Sequence, residues 1–211
     1  MKLSDFTIQE RNLISIAFKN NIQTERKAIK LVADIANYDK FAKYDQIMKV
    51  YRKRLEKALQ QKCLAICELC EHQCIPLTDN SESKVFFMKI TADYYRYAVE
   101  FSTTSNHKYE EAALAFYRRG LDIACADLDA VNPIRLGICL NMAIHYKEIK
   151  KQLSLAIVLT ESALQKAIER IDDIGLEDFE DAQVLIKMLQ NNLELWKDEQ
   201  SRLINGPVAT K

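Results

Sequence analysis

The chain is 211 residues long and 48% hydrophobic, enough to bury one large core or two small ones. It contains only 4 Gly and 3 Pro, and Gly120, Gly137, Gly175 and Gly206 lie far apart; without a glycine-rich loop to bring backbone amides onto a phosphate, P-loop and dinucleotide folds are excluded. The 30 basic and 30 acidic residues cancel, which argues against nonspecific nucleic-acid binding as the main role.

With so few turn residues and apolar positions recurring at spacings of three and four, the pattern predicts an all-α fold of about seven long helices. The first is expected over residues 7–36, with Leu13, Ile16, Ala17, Asn20 and Thr24 tracing a helical stripe. A second, over 40–74, ends before Pro76 and a polar cluster that supplies Asn80 or Ser81 as the next cap. Within it Cys63, Cys67, Cys70 and Cys74 share one face. Over that interval a helix rises roughly 16 Å, so the four sulfurs cannot converge on one ion and are expected to be packed thiols, a partial metal site with His72 being the remoter alternative. The third helix is expected over 82–103 and the fourth over 108–128. The fifth starts with Asn132 as N-cap and Pro133 as its first residue, and ends near Lys150. A sixth over 152–170 turns at Gly175, in a left-handed position, into a seventh over 177–200. Residues 1–200 are thus read as one helical domain and 201–211 as a flexible tail.

Helices of this length with short connections pack antiparallel, giving a layered array with a concave amphipathic side. Helix pairs near 35 residues also suit a tetratricopeptide array, but no fixed-period self-similarity supports it. No N-terminal apolar run resembles a signal peptide and no stretch is long enough to span a membrane, so a cytoplasmic or nuclear location is expected. Charge is unevenly spread, 13 basic against 7 acidic residues over 1–60 and 2 against 9 over 172–200, which predicts one electropositive end.

The segment "DYYRYAVEF" (93–101) puts an aspartate, an arginine and three tyrosines into a helix interior. Asp93 lies three residues before Arg96 and can hold its guanidinium, with Tyr97 beside it. Such a group suits a phosphate; an internal salt bridge between helices would use the same residues. Lys19 and Arg26, two turns apart on one face of the first helix, add two cations, and together the set would balance a dianionic phosphate. Asn141, Glu148 and Asn192, each set among apolar residues, can bond an extended peptide backbone or be satisfied internally. His72, His107 and His145 are scattered without a nucleophile or ligand at helical spacing, and no enzymatic activity, cofactor or metal is expected.

Four segments, "ERNLISIAFKN" (10–20), "SKVFFMKITADYYRYAVEF" (83–101), "NPIRLGICLNMAIHYKEI" (132–149) and "DAQVLIKMLQNNLELWKDE" (181–199), resemble the signature helices of the 14-3-3 proteins in order and spacing, over about residues 8–200. The resemblance implies a non-enzymatic signal-transduction adaptor that binds phosphoserine and phosphothreonine motifs of client proteins, with a helical scaffold binding partners independently of phosphate as the alternative. It places the phosphate on Lys19, Arg26, Arg96 and Tyr97, and the peptide backbone on Asn141 and Asn192. Lys89 and Asp93 would border the cradle and Glu148 and Trp196 its polar and distal edges, with an apolar wall of Leu140, Ile144, Leu185, Met188 and Leu195. Three departures stand out: Glu25 replaces a usual arginine, Ile29 a tryptophan and Lys147 a tyrosine. Two short N-terminal helices that complete the family's dimer do not precede the first helix here, so a monomer or weak, atypical dimer is expected. The tail ends "VATK", and phosphorylated Thr210, or Ser201 as second choice, would let it occupy the peptide site; about ten residues at roughly 3.3 Å each reach some 33 Å. A solvated tail is the simpler alternative.

Overall fold

A computed structural model describes residues 5–101, 107–170 and 176–205, all helices and connections. The helices are α1 (Ile8–Ala36), α2 (Asp45–Leu69), α3 (Ser81–Glu100), α4 (His107–Asp127), α5 (Pro133–Glu148), α6 (Leu153–Ile168) and α7 (Leu176–Asn205). The chain divides into two compact units, residues 1–116 and 117–211, with the boundary inside α4.

Side chains take up orphan amides at the starts of α1, α3 and α5, whereas α2 and α6 begin without a side-chain cap bond. Thr7 caps α1 in a reciprocal box: its hydroxyl accepts from the Glu10 amide at 3.2 Å, and the Glu10 carboxylate accepts from the Thr7 amide at 2.8 Å. Asn80 caps α3 through the Ser83 amide at 3.1 Å. Asn132 caps α5 by accepting from Ile134 and Arg135 at 2.9 and 3.2 Å, and Pro133, with no amide to leave unsatisfied, takes the first helical position. Helix α5 and α6 are separated at Lys151, which adopts φ 55°, a left-handed conformation at a non-glycine residue. The Gln152 amide closes this turn on the Tyr146 carbonyl at 2.9 Å. Gly175, the expected turn, lies outside the described residues.

In the first unit α2 packs against both α1 and α3. Its core joins Ile22 and Ile29 of α1, Leu59, Cys63, Ile66 and Cys67 of α2, and Phe87, Ile90, Tyr94 and Ala98 of α3. The Leu13–Thr24 stripe does lie along one helix, α1, but on its exposed side, Leu13 by 68% and Ile16 by 56%. The inward face carries Ile14, Phe18, Ile22 and Ile29, whose bulk fills the gap to α2 and α3 better than Ala17, Asn20 or Thr24.

The second expected helix is three segments: a 3-10 turn over Asp39–Tyr44, α2, and a π turn over Cys70–Cys74. In the π turn the Ile75 amide reaches back five residues to the Cys70 carbonyl at 2.9 Å. Widening the turn keeps Cys74 on the inward side, so Cys63, Cys67, Cys70 and Cys74 are all buried, and burial pushes the Cys63 thiol up to about 12. Among the described residues no group of three or more His, Cys, Asp or Glu is placed to hold a metal ion.

The second unit packs α5, α6 and α7 around Leu136, Leu140, Leu164, Ala167, Ala182, Ile186 and Leu189. Helix α7 continues to Asn205, so Ser201 is an exposed helical residue rather than part of a tail. Thr210 lies outside the described residues. No helix among the described residues is long and apolar enough to cross a membrane.

Candidate functional site

The three tyrosines of 93–101 point in three directions because successive helical residues turn about 100°. Tyr94 enters the core edge-on to Phe18 at 6.0 Å. Tyr95 stacks on Tyr109 of α4 at 5.9 Å, and its hydroxyl donates to the Glu71 carboxylate at 2.6 Å. Tyr97 faces two arginines. The Arg26 guanidinium from α1 lies 4.4 Å from the centre of its ring and that of Arg96 lies 4.6 Å away. Arg26 also sits 5.0 Å from the Phe101 ring, so two aromatics hold a half-buried cation that has no carboxylate partner among the described residues.

Arg96 is held differently. It is only 7% exposed, and its Nη1 donates to the Glu100 carboxylate at 2.8 Å. Asp93, expected to clamp it, makes the longer contact, its Oδ1 4.0 Å from Arg96 Nη2, while its Oδ2 accepts from Lys89 at 2.9 Å. Glu100 was legible as the residue one turn after Arg96, an i,i+4 pair that favours contact. The result is a ladder of alternating charge along α3: Lys89, Asp93, Arg96, Glu100. Burial, then the Asp93 carboxylate, raises the Tyr97 phenol above its ordinary value against the pull of Arg96 and Arg26, so it stays a protonated donor at neutral pH. Its hydroxyl has no hydrogen-bond partner among the described residues.

Lys19 and Arg26 line one shallow depression together with Gln23, Lys27, Lys30 and Phe101. The first unit thus brings together the expected phosphate residues Lys19, Arg26, Arg96 and Tyr97 with their neighbours Lys89 and Asp93. Phe101, Lys27 and Lys30 were not singled out from sequence, although Phe101 stands one turn after Tyr97 and Lys30 one turn after Arg26.

The second unit holds the other candidates. Asn141 on α5 and Asn192 on α7 are half-buried. Leu140 and Trp196 are core residues, 7% and 6% exposed, while Ile144 and Leu185 pack against the core from its margin. Met188 and Leu195 are 48% and 65% exposed and, with Val184, Leu203 and Ile204, form part of the open apolar surface of α7. Glu148 is exposed and accepts from Lys147 at 3.2 Å, and Lys147 also reaches Glu199 at 3.0 Å.

The profile of the family described as "14-3-3 protein" matches residues 2–197. The chain belongs to the 14-3-3 family. It is 36% identical to 14-3-3-like protein B of Glycine max over 208 residues, covering 97% of this chain and 84% of that protein. It is likewise 36% identical to 14-3-3 protein 10 of Solanum lycopersicum, over 94% of this chain and 81% of the relative. Membership makes this a protein of a non-enzymatic, phosphopeptide-binding adaptor family. The departures of this 14-3-3 chain are accommodated locally. Glu25 accepts from Lys62 at 2.7 Å, and although burial opposes it, the Lys62 hydrogen bond and charge help hold its carboxyl below the ordinary value. Ile29 is 3% exposed, in the core.

Proposed function

We propose that this 14-3-3 protein binds phosphoserine and phosphothreonine peptides of client proteins in a basic amphipathic groove and regulates those clients as an adaptor. Lys19, Arg26, Arg96 and Tyr97 take the phosphate; Asn141 and Asn192 take the peptide backbone; Met188 and Leu195, with Ile144 and Leu185, take apolar side chains. The observation that carries the reading is the Arg26–Tyr97–Arg96 contact, two immobilised guanidiniums against one phenol whose hydroxyl is uncommitted among the described residues. Guanidinium forks match phosphate oxygens, and cations already held by packing lose little further entropy on binding.

A titration of one peptide in phosphorylated and unphosphorylated form tests this directly. The phosphorylated form should bind at least tenfold tighter, with the gain shrinking as salt rises. Equal affinities would replace the reading with a phosphate-independent helical scaffold. The oligomeric state we propose is a monomer or weak dimer, with Leu13 and Ile16 of α1 and Ile47, Val50 and Tyr51 of α2 exposed; a dimer persisting at nanomolar concentration in sedimentation would overturn it.

A further inference from the structure

The depression on α1 holds more positive charge than one phosphate needs. Lys19, Gln23, Arg26, Lys27 and Lys30 fall at i, i+4, i+7, i+8 and i+11, a single stripe of the helix, and Phe101 borders the same depression. No carboxylate lines it. None of the four cations has a carboxylate partner among the described residues, whereas cations nearby are compensated: Lys62 by Glu25, Lys89 by Asp93, Arg96 by Glu100. The α3 ladder sets two cations against two carboxylates, so the uncompensated charge of the site resides on α1. A phosphoserine brings about −1.5 to −2 charges at pH 7, which neutralises Lys19 and Arg26 and leaves Lys27 and Lys30.

We infer that this stripe is a double-anion site, selecting client segments that carry a second phosphate close to the first. The inference rests on the phosphopeptide reading above and deepens it. Arg26, fixed by Tyr97 and Phe101 and sharing Tyr97 with Arg96, sets where the first phosphate lies. Lys30 stands one helical turn beyond Arg26, about 6 Å along the axis. An extended peptide covers that distance in two residues at roughly 3.3 Å each, and the reach of a lysine side chain extends the match to three. Lys27 flanks the same position, and the Gln23 amide, uncommitted among the described residues, offers an N–H donor between Lys19 and Arg26. An acidic side chain at the second position satisfies the same subsite less completely, with one charge and two oxygens instead of two charges and three. Because Lys27 and Lys30 are exposed, the contribution is screened by salt.

The test uses the full chain and one peptide sequence in unphosphorylated, singly phosphorylated and doubly phosphorylated forms, with the second phosphoserine two or three residues to either side of the first. Calorimetric titrations are run at about 50 mM and about 300 mM salt, where the screening length differs roughly twofold. Two phosphates give a statistical gain of two in any case. Beyond it, at least one doubly phosphorylated form should bind about fivefold tighter than the single at low salt, and the gain should shrink at high salt. In the Lys27→Gln/Lys30→Gln protein, whose exposed changes leave the core untouched, the double-to-single ratio should fall to the statistical value. A ratio of two or less in every spacing for the unaltered chain, or a ratio unchanged in the variant, overturns the double-anion site while leaving the single-phosphate reading intact. A single phosphate that binds no better than none overturns both.

Discussion

Two helical surfaces of this 14-3-3 protein are prepared for ligands in opposite ways. On the first unit, α1 and α3 present charges fixed before any ligand arrives: Arg96 by Glu100, Lys89 by Asp93, and Arg26 by two aromatic rings. On the second, α7 presents Met188 and Leu195, exposed apolar side chains, and a half-buried Asn192 between them in sequence. Preorganised charge gives a steep, geometry-dependent interaction with one chemical group, whereas loose apolar contacts tolerate different side chains. The contrast supports the proposed phosphopeptide reading, in which the phosphate is required and the sequence around it is free to vary.

Removing the most deeply held cation should produce the largest effect. Arg96→Ala takes away one of the phosphate's charge-assisted partners, a loss of roughly 2–5 kcal/mol, so phosphopeptide affinity should fall at least tenfold in calorimetry. The fold also pays here, because the guanidinium is 7% exposed and bonded to Glu100 at 2.8 Å; a drop in unfolding free energy of about 1–3 kcal/mol should accompany it. Unchanged affinity would mean that the phosphate lies elsewhere. Within the second unit, burial predicts a clean division between two leucines on α7. Leu189, 0% exposed, should cost about 2–5 kcal/mol of stability as Ala. Leu195→Ala, at 65% exposure, should leave the melting curve in place and weaken peptide binding about threefold. If Leu195 proves as costly to the fold as Leu189, α7 does not present it to ligands.

Smaller in effect is the cap that starts α5. Asn132→Ala removes two hydrogen bonds accepted from backbone amides, at 2.9 and 3.2 Å, and should lower stability by about 1 kcal/mol with no change in phosphopeptide affinity. That cap was also among the features most legible in the sequence. Asn132 followed by Pro133 is a start signal whose physics is local, and helix spacing depends only on which residues are apolar. The features that escaped depend on packing partners distant in the chain. Leu13 and Ile16 are as apolar as Ile14 and Phe18, and only the position of α2 and α3 decides which pair goes inside. The π turn at Cys70 reconciles the cysteine face with that same packing, and the left-handed Lys151 joins two helices whose ends were predictable while the path between them was not. At the site, the residue types of Lys19, Arg26, Arg96 and Tyr97 were legible; the aromatic clamp on Arg26 was not, because it joins α1 to the end of α3. Aspartate at i−3 and glutamate at i+4 both offered Arg96 a partner, and the glutamate's longer side chain makes the closer contact, 2.8 Å against 4.0 Å, while Asp93 also engages Lys89.

The smallest expected effect sharpens the contrast at its electrostatic margin. Glu25 is the one acidic residue of the stretch from Lys19 to Lys30, and it is held by Lys62 at 2.7 Å with its other carboxylate oxygen buried and unbonded among the described residues. Removing its charge by Glu25→Gln releases Lys62 from compensation and adds one net positive charge beside Arg26. Phosphopeptide affinity should then rise about two- to threefold at low ionic strength and return to the unaltered value as salt shortens the screening length below about 8 Å. Stability should move the other way, by less than about 1 kcal/mol, since Lys62 is 37% exposed and the buried oxygen offsets part of what the ion pair contributes. Its pH dependence identifies the source. The folded-state carboxyl is held below the ordinary 4.5, so its contribution is present above that value and is lost as pH falls through the lowered one. Melting curves of the two proteins should therefore differ slightly at pH 7 and converge as the pH falls below that lowered value. A difference that persists unchanged into acid would show that Glu25 acts through packing, and an affinity gain that survives high salt would show that it shapes the site instead of its potential.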